Sequence, residues 1–185
     1  MKNFTLILIL LFNYLFIQPS LSQCKMLYDG KDEFTGKIIK ETKLESGYLS
    51  SEISRAQCND CGFKGTIGFA KYDSILIFKI LIEEADYYWS LKENALGMLK
   101  LESGDIIKMF AEHPVFASSK VNGETGANTW WEGIIRFIVP KKYWGKLQNS
   151  NPEKLRIYFN EDYNNGVFTR TGKFIFHKYL KCVME

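Results

Sequence analysis

The run from Ser74 to Ile82 constrains the fold more than any other feature of the sequence. Read as a strand, it carries apolar side chains on both faces, because successive residues point to opposite sides of a sheet. One face carries Ile75, Ile77 and Leu81, and the other carries Leu76, Phe78, Ile80 and Ile82. A strand that is apolar on both faces lies in the middle of a sheet and is covered from both sides. We therefore expect the fold to be built around this run.

Other runs of strand length, separated by turn residues, lie on both sides of this central run. They predict strands at residues 34–44, 65–72, 87–92, 98–102, 106–110, 115–119, 131–139, 155–160 and 166–180. Asn164, Asn165 and Gly166 accept positive φ, so they predict the turn of the last hairpin. The final strand is expected to end at Cys182.

One short helix is expected near residues 140–148. Pro140 fits the first turn of a helix, where its missing N–H is not needed, and Tyr143, Trp144 and Leu147 follow at spacings of three and four. Many short strands and a single helix predict an all-β, mainly antiparallel fold, either a two-sheet β-sandwich or a partly open barrel. Periodicity does not separate these two architectures.

The first 22 residues have the order of a cleavable signal peptide. Lys2 precedes a long apolar run, and Ser20 and Ser22 supply small side chains before a cut at Gln23. An exported chain of this kind is expected to be secreted, periplasmic or held at the cell surface.

Residues 23–185 are then expected to form a single β-rich domain with no transmembrane segment. Two alternatives for the leader stay open. In the first alternative, the leader is a membrane anchor, although Asn13 interrupts an apolar run that is short for a span. Otherwise Cys24 becomes a lipid-modified N-terminus, although Gln23 is larger than the residue that usually precedes such a cysteine.

All four cysteines follow the predicted leader, and an even number of cysteines in an exported chain favours disulfides. The preferred pairing joins Cys24 to Cys182, which ties the chain ends, and Cys58 to Cys61. The Cys58-x-x-Cys61 spacing also fits a thiol-disulfide centre or half of a zinc site. Gln57 precedes it without the strand and helix context of a redox motif, so the structural disulfide is preferred.

Composition and motifs exclude several classes of function. The chain has 24 basic and 21 acidic side chains, and its lysines are spread singly apart from Lys141 and Lys142, so no basic stripe suggests nucleic acid. His113 and His177, the two histidines, are read as surface or packed residues, because neither lies near a nucleophile motif. The sequence has no G-x-S-x-G, H-E-x-x-H or phosphate-binding loop, so no cofactor or metal is expected.

Carboxylates provide one alternative, a hydrolase acting on carbohydrate. Glu83, Glu84 and Asp86 follow the central strand, where such residues are usually only its solvated end. Acid–base catalysis would need two carboxylates from Glu83, Glu84, Glu132 or Asp162 to converge about 5–10 Å apart, with one pKa raised.

The most suggestive surface feature is the pair Trp130 and Trp131, which follows a glycine-rich stretch. If this region is a strand, the two indole rings point to opposite faces of the sheet. Together with Asn128 and Glu132, an exposed tryptophan here would suit stacking on a sugar or filling a pocket of a partner. The alternative that both rings pack in the core stays open.

These observations favour an exported, non-catalytic binding module. Its partner would be a glycan, a peptide or a protein of the cell envelope, or the chain would serve a structural role at the cell surface. A carbohydrate hydrolase and a thiol-disulfide protein that uses Cys58 and Cys61 are the alternatives.

Overall fold

The computed structural model of the protein describes residues 24–51, 64–84, 88–121, 129–159 and 163–185. The strands are β1 (Met26–Lys31), β2 (Ile38–Thr42), β3 (Glu45–Ser51), β4 (Lys64–Tyr72), β5 (Ile75–Glu84), β6 (Ser90–Leu91), β7 (Leu96–Leu101), β8 (Ile106–Ala111), β9 (Val115–Phe116), β10 (Ser118–Val121), β11 (Thr129–Val139), β12 (Pro152–Tyr158) and β13 (Tyr163–Phe168). The helices are α1 (Trp144–Asn149), which follows a 3₁₀ turn at Lys141–Tyr143, and α2 (Arg170–Met184).

Strand β5 is the central strand that the sequence predicts. It pairs antiparallel with β4 on one side and with β11 on the other, each over nine residue pairs. Residues 76–80 of β5 are all buried, which explains why the run is apolar on both faces. Ile75, at the start of the strand, is exposed, and Leu81 near its end is partly buried.

The antiparallel strand pairs can be followed in a circuit from β4 through β5, β11, β8, β7, β12, β13 and β3 back to β4. Three junctions are short, since β8 shares two residue pairs with β11, and β3 shares three with β13 and three with β4. The sheet is therefore not an evenly closed cylinder. It is the sandwich-like, all-β antiparallel architecture that the sequence predicts.

A single core cluster collects one face of nearly every strand of the circuit. It includes Ile67 of β4, Phe78 of β5, Leu99 of β7, Ile107 of β8 and Ile157 of β12, all with essentially no exposed surface. Residues that alternate with these on each strand form the outer face of the sheet. These two sides are called the inner and the outer face of the sheet.

The segment after β13 forms a helix, so the predicted strand at residues 166–180 is wrong beyond Phe168. Thr169 caps the helix, because its hydroxyl oxygen accepts a hydrogen bond from the Gly172 N–H (2.9 Å). The buried residues of α2 recur at helical spacing and are Gly172, Ile175, Phe176, Tyr179, Leu180 and Val183. Ile175 and Tyr179 are four residues apart, which fits a helix as well as a strand.

The predicted hairpin turn at Asn164, Asn165 and Gly166 is also wrong. These residues lie within β13, paired with Ile157, Arg156 and Leu155 of β12. The sequence interpretation also missed β1 and the strand β3, whose residues carry few apolar side chains in alternation.

The helix near residues 140–148 is confirmed. Pro140 precedes the 3₁₀ turn, Leu147 of α1 is buried, and Tyr143 and Trp144 pack against the core. The indole N–H of Trp144 donates to the carbonyl oxygen of Val139 (3.0 Å), which fixes the short helix to the end of β11.

A disulfide joins Cys24 to Cys182, the pairing expected for the chain ends. It ties the segment before β1 to the last turn of α2, and Cys24 itself packs against the core. Cys58 and Cys61 lie outside the described residues, so their pairing stays a prediction. In the described part of the chain, neither helix is long and apolar enough to span a membrane.

Replacing both Cys24 and Cys182 by Ser is expected to lower the free energy of unfolding by about 2–4 kcal/mol, because the bridge restrains a long loop in the unfolded chain. The two cysteines are 158 residues apart in sequence. Urea denaturation of this double variant measures the loss and leaves Cys58 and Cys61 unchanged. An unfolding midpoint equal to that of the wild type would contradict a stabilising role for this bridge.

Candidate functional site

The two adjacent tryptophans lie in strand geometry at the start of β11. Trp131 shares the inner face with Ile135 and Phe137 and packs against the core cluster, whereas Trp130 alternates with it and lies on the outer face. Both side chains are half-buried. The rings therefore point to opposite faces, as a strand requires, but neither of them is fully enclosed by the core.

Trp131 carries an exposed aromatic neighbour. The ring of Tyr88 lies edge-on to it, with ring centres 5.2 Å apart, and Tyr88 is 53% exposed. The next inner position along β11 is Gly133, where the ring of Trp89 lies so close that an added Cβ would sit 2.6 Å from it. Glycine at this position lets Trp89 pack on the backbone of β11, and Trp89 in turn contacts Phe159. The segment at residues 88–89 is thereby held beside Trp131.

Trp130 lies beside a charged pair on the outer face. Its neighbour across the strand pair is Lys120 of β10, and the ammonium group of Lys120 lies 3.0 Å from a carboxylate oxygen of Glu132. Glu132 is two residues from Trp130, so both point outwards. We call this end of β11 the β11 surface; it has Trp131 and Tyr88 on the inner face and Trp130 with the Lys120–Glu132 pair on the outer face. Asn128, the fourth residue predicted here, lies outside the described residues.

The outer face also brings together two of the carboxylates considered for acid–base chemistry. Glu132 of β11 and Glu83 of β5 are direct cross-strand neighbours. Like charges in this relation lower the stability of a sheet, and Lys120 offsets part of that cost here. Asp86 and Asp162 lie outside the described residues, and the side chain of Glu84 is not described either.

The two histidines occupy unrelated positions. His113 is exposed, with Nε2 3.9 Å from a carboxylate oxygen of Glu112. His177 lies on α2 rather than on the predicted final strand, where it is half-buried next to the ring of Phe176. Burial lowers the pKa of His177, while nearby Glu102 acts in the opposite direction.

The sequence interpretation missed a polar cluster on the outer face at the centre of the sheet. Lys79 of β5 is only 3% exposed and donates to a carboxylate oxygen of Glu41 (2.6 Å) and to the carbonyl oxygen of Thr42 (2.7 Å). The hydroxyl of Tyr72 donates to the other carboxylate oxygen of Glu41 (3.2 Å) and accepts from Arg136 (3.1 Å). Lys79 is the residue that could have indicated this cluster from the sequence, because it is the one charged residue inside the apolar central run.

This cluster is balanced and enclosed, which favours a structural role. Arg136 donates from Nε to Glu112 (2.6 Å), so two cations face two carboxylates. Burial lowers the pKa of Lys79, and the hydrogen bond and charge of Glu41 act against that lowering. Its groups are engaged with one another, whereas the β11 surface presents side chains to solvent. The β11 surface is therefore the better candidate for binding.

No protein family, curated protein or solved structure matches this chain.

Proposed function

We propose that the protein is an exported, non-catalytic module that binds a glycan through the β11 surface. The observation that carries the proposal is that Trp130 and Trp131 both keep part of their surface exposed, on the two faces of one strand. Tyr88 extends the exposed aromatic area beside Trp131, and Lys120 and Glu132 lie beside Trp130. Aromatic faces stack on the apolar faces of sugar rings, and the flanking charged groups can hydrogen bond to sugar hydroxyls.

The Cys24–Cys182 disulfide supports the exported part of this proposal. Disulfides persist in oxidising compartments such as the periplasm and the cell exterior, and they are rare in the cytosol. The predicted leader points to the same compartments.

Replacing Trp130 or Trp131 by Ala is expected to weaken glycan binding by at least about tenfold, because a central aromatic contact carries much of the energy of such an interface. The full exported chain would first be screened against a panel of polysaccharides by calorimetry or on a glycan array. The affinity of each variant for the best ligand would then be measured.

Phe34→Ala provides the control. Phe34 is 96% exposed in the turn between β1 and β2, so this change removes an accessible aromatic side chain away from the β11 surface. We expect its affinity to equal that of the wild type. The proposal fails if no glycan binds, or if both tryptophan variants are folded and bind as tightly as Phe34→Ala.

A carbohydrate hydrolase is the second candidate, and the adjacency of Glu83 and Glu132 favours it specifically. A retaining or inverting hydrolase needs two carboxylates on one surface, and Trp130 on the same face would support the sugar. The same glycan panel, assayed for release of reducing ends, separates the two functions. Release that is lost in both Glu83→Gln and Glu132→Gln, with binding retained, would establish the hydrolase. Binding without release would support the non-catalytic module.

A further inference from the structure

The indole N–H of Trp89 has no hydrogen-bond partner among the described residues, although Trp89 is only 7% exposed. The indole nitrogen of tryptophan is a donor only, so it can be satisfied only by an acceptor. A buried donor without an acceptor destabilises the fold, and native structures contain few of them. Trp144 shows the usual arrangement, because its indole N–H donates to the carbonyl oxygen of Val139 (3.0 Å). Trp89 therefore holds a donor that the fold itself does not use.

Trp89 lies beside the inner face of the β11 surface. Its ring packs on Gly133, which is the next inner position along β11 after Trp131. Tyr88, the residue before Trp89, contacts Trp131 edge-on and is 53% exposed. A molecule that stacks on the exposed parts of Tyr88 and Trp131 would therefore lie close to the ring of Trp89.

The described neighbours of the Trp89 ring are apolar. The centre of the Phe159 ring lies 5.7 Å from the centre of the Trp89 ring. At Gly133, an added Cβ would lie 2.6 Å from the Trp89 ring and 3.1 Å from a methyl group of Val115. These neighbours provide apolar contacts and no side-chain acceptor. This end of the inner face thus combines aromatic rings with a buried, unpaired donor.

We propose that the glycan bound here carries an acetamido group, whose carbonyl oxygen accepts a hydrogen bond from the indole N–H of Trp89. The inference rests on the proposed function, since it names the class of glycan that the β11 surface binds. A carbonyl oxygen is an acceptor only, and the methyl group attached to the same carbon is apolar, so both suit a donor among aromatic rings. A hydroxyl group could also accept from Trp89, but its own O–H would then need an acceptor in apolar surroundings. The site therefore favours an N-acetylated sugar.

Chitotriose and cellotriose test this preference. They share one backbone and one linkage, and chitotriose carries an acetamido group on each ring where cellotriose carries a hydroxyl group. Calorimetric titration of the full exported, disulfide-bonded chain is expected to show at least about tenfold tighter binding of chitotriose, because only this ligand satisfies the buried donor without adding another.

Trp89→Phe removes the N–H and keeps an aromatic ring. We expect it to reduce the affinity for chitotriose by about tenfold, to the level of cellotriose. The matched control is Trp144→Phe, which makes the same substitution beyond the other end of β11 and removes an N–H that is already paired within the fold. This control should keep the preference of the wild type. Circular dichroism checks that each variant is folded.

A second measurement uses the wild-type chain, so it does not depend on whether Trp89→Phe folds. The chain has four tryptophans, and nuclear magnetic resonance of the protein labelled at its indole nitrogens follows their N–H signals directly. Single substitutions by Phe at Trp130, Trp131 and Trp144 assign the other three signals. The Trp89 signal is expected to move downfield when chitotriose is added, as an N–H that gains an acceptor does, and the Trp144 signal is expected to stay in place.

The outcomes separate this inference from the proposed function. If a glycan binds but cellotriose binds as tightly as chitotriose, the inference is wrong and the proposed function stands. The same holds if folded Trp89→Phe keeps the preference for chitotriose, or if the Trp89 signal does not move in the saturated complex. If no glycan binds to the wild type, the proposed function and this inference fail together.

Discussion

Phe176→Ala is expected to lower the free energy of unfolding by about 3–5 kcal/mol, the usual cost of deleting a buried phenylalanine ring. The ring of Phe176 is fully buried, and its centre lies 4.9 Å from that of Phe69, 5.5 Å from Phe78 and 5.8 Å from Phe168. These contacts join α2 to β4, β5 and β13, so the truncation leaves a cavity where the helix meets the sheet. Urea denaturation followed by circular dichroism measures the loss.

Phe174→Ala is the matched control for this prediction. Phe174 lies on the same helix two residues earlier but is 65% exposed, and the substitution deletes the same ring. Its effect is expected to stay within about 0.5 kcal/mol of the wild type. Equal losses for the two variants would show that the ring at position 176 contributes nothing through its burial.

Glu41→Ala is expected to lower the free energy of unfolding by a similar amount, about 3–5 kcal/mol at neutral pH. The substitution leaves the buried ammonium group of Lys79 without its carboxylate partner. The remaining acceptor described for Lys79 is the carbonyl oxygen of Thr42. The double variant Glu41→Ala with Lys79→Met removes both charges and is expected to recover most of the loss. A double variant no more stable than Glu41→Ala would contradict this account of the pair.

The loss of stability in Glu41→Ala should also depend on pH. Burial lowers the pKa of Lys79 from its ordinary value of 10.5, and Glu41 opposes this lowering, so removing Glu41 lowers the pKa further. Between the pKa of Lys79 in the folded chain and 10.5, the unfolded chain binds more protons than the folded chain. The free energy of unfolding therefore rises with pH in this range. The deficit of Glu41→Ala relative to the wild type is therefore expected to be smaller near pH 9 than near pH 7. Thermal unfolding at both pH values tests this sign.

The fold class could be predicted because the strongest local signals agree with the tertiary structure. The run in β5 is apolar on both faces and is covered on both faces, and Pro140 opens the short helix where its missing N–H costs nothing. The sequence predicts a strand after Phe168 because Ile175 and Tyr179 fit an even spacing. Thr169 as a helix cap, with buried residues at spacings of four, was the signal that would have corrected it.

The candidate site could be predicted only in part. Adjacent tryptophans in a strand must face opposite sides, so the arrangement of Trp130 and Trp131 follows from local geometry. The contact of Trp131 with Tyr88, the adjacency of Glu83 and Glu132, and the pairing of Lys79 with Glu41 depend on strand register between distant segments. Register is set by side-chain packing across the whole sheet, which a single sequence does not display.

The order of elements along the chain has a consequence for biosynthesis. Helix α2 follows every described strand, yet its Phe176 covers Phe69 and Phe78 of the two strands at the centre of the sheet. A nascent chain that has released those strands still exposes their aromatic side chains to water and to other chains. Completion of the native core must therefore wait for the helix to emerge.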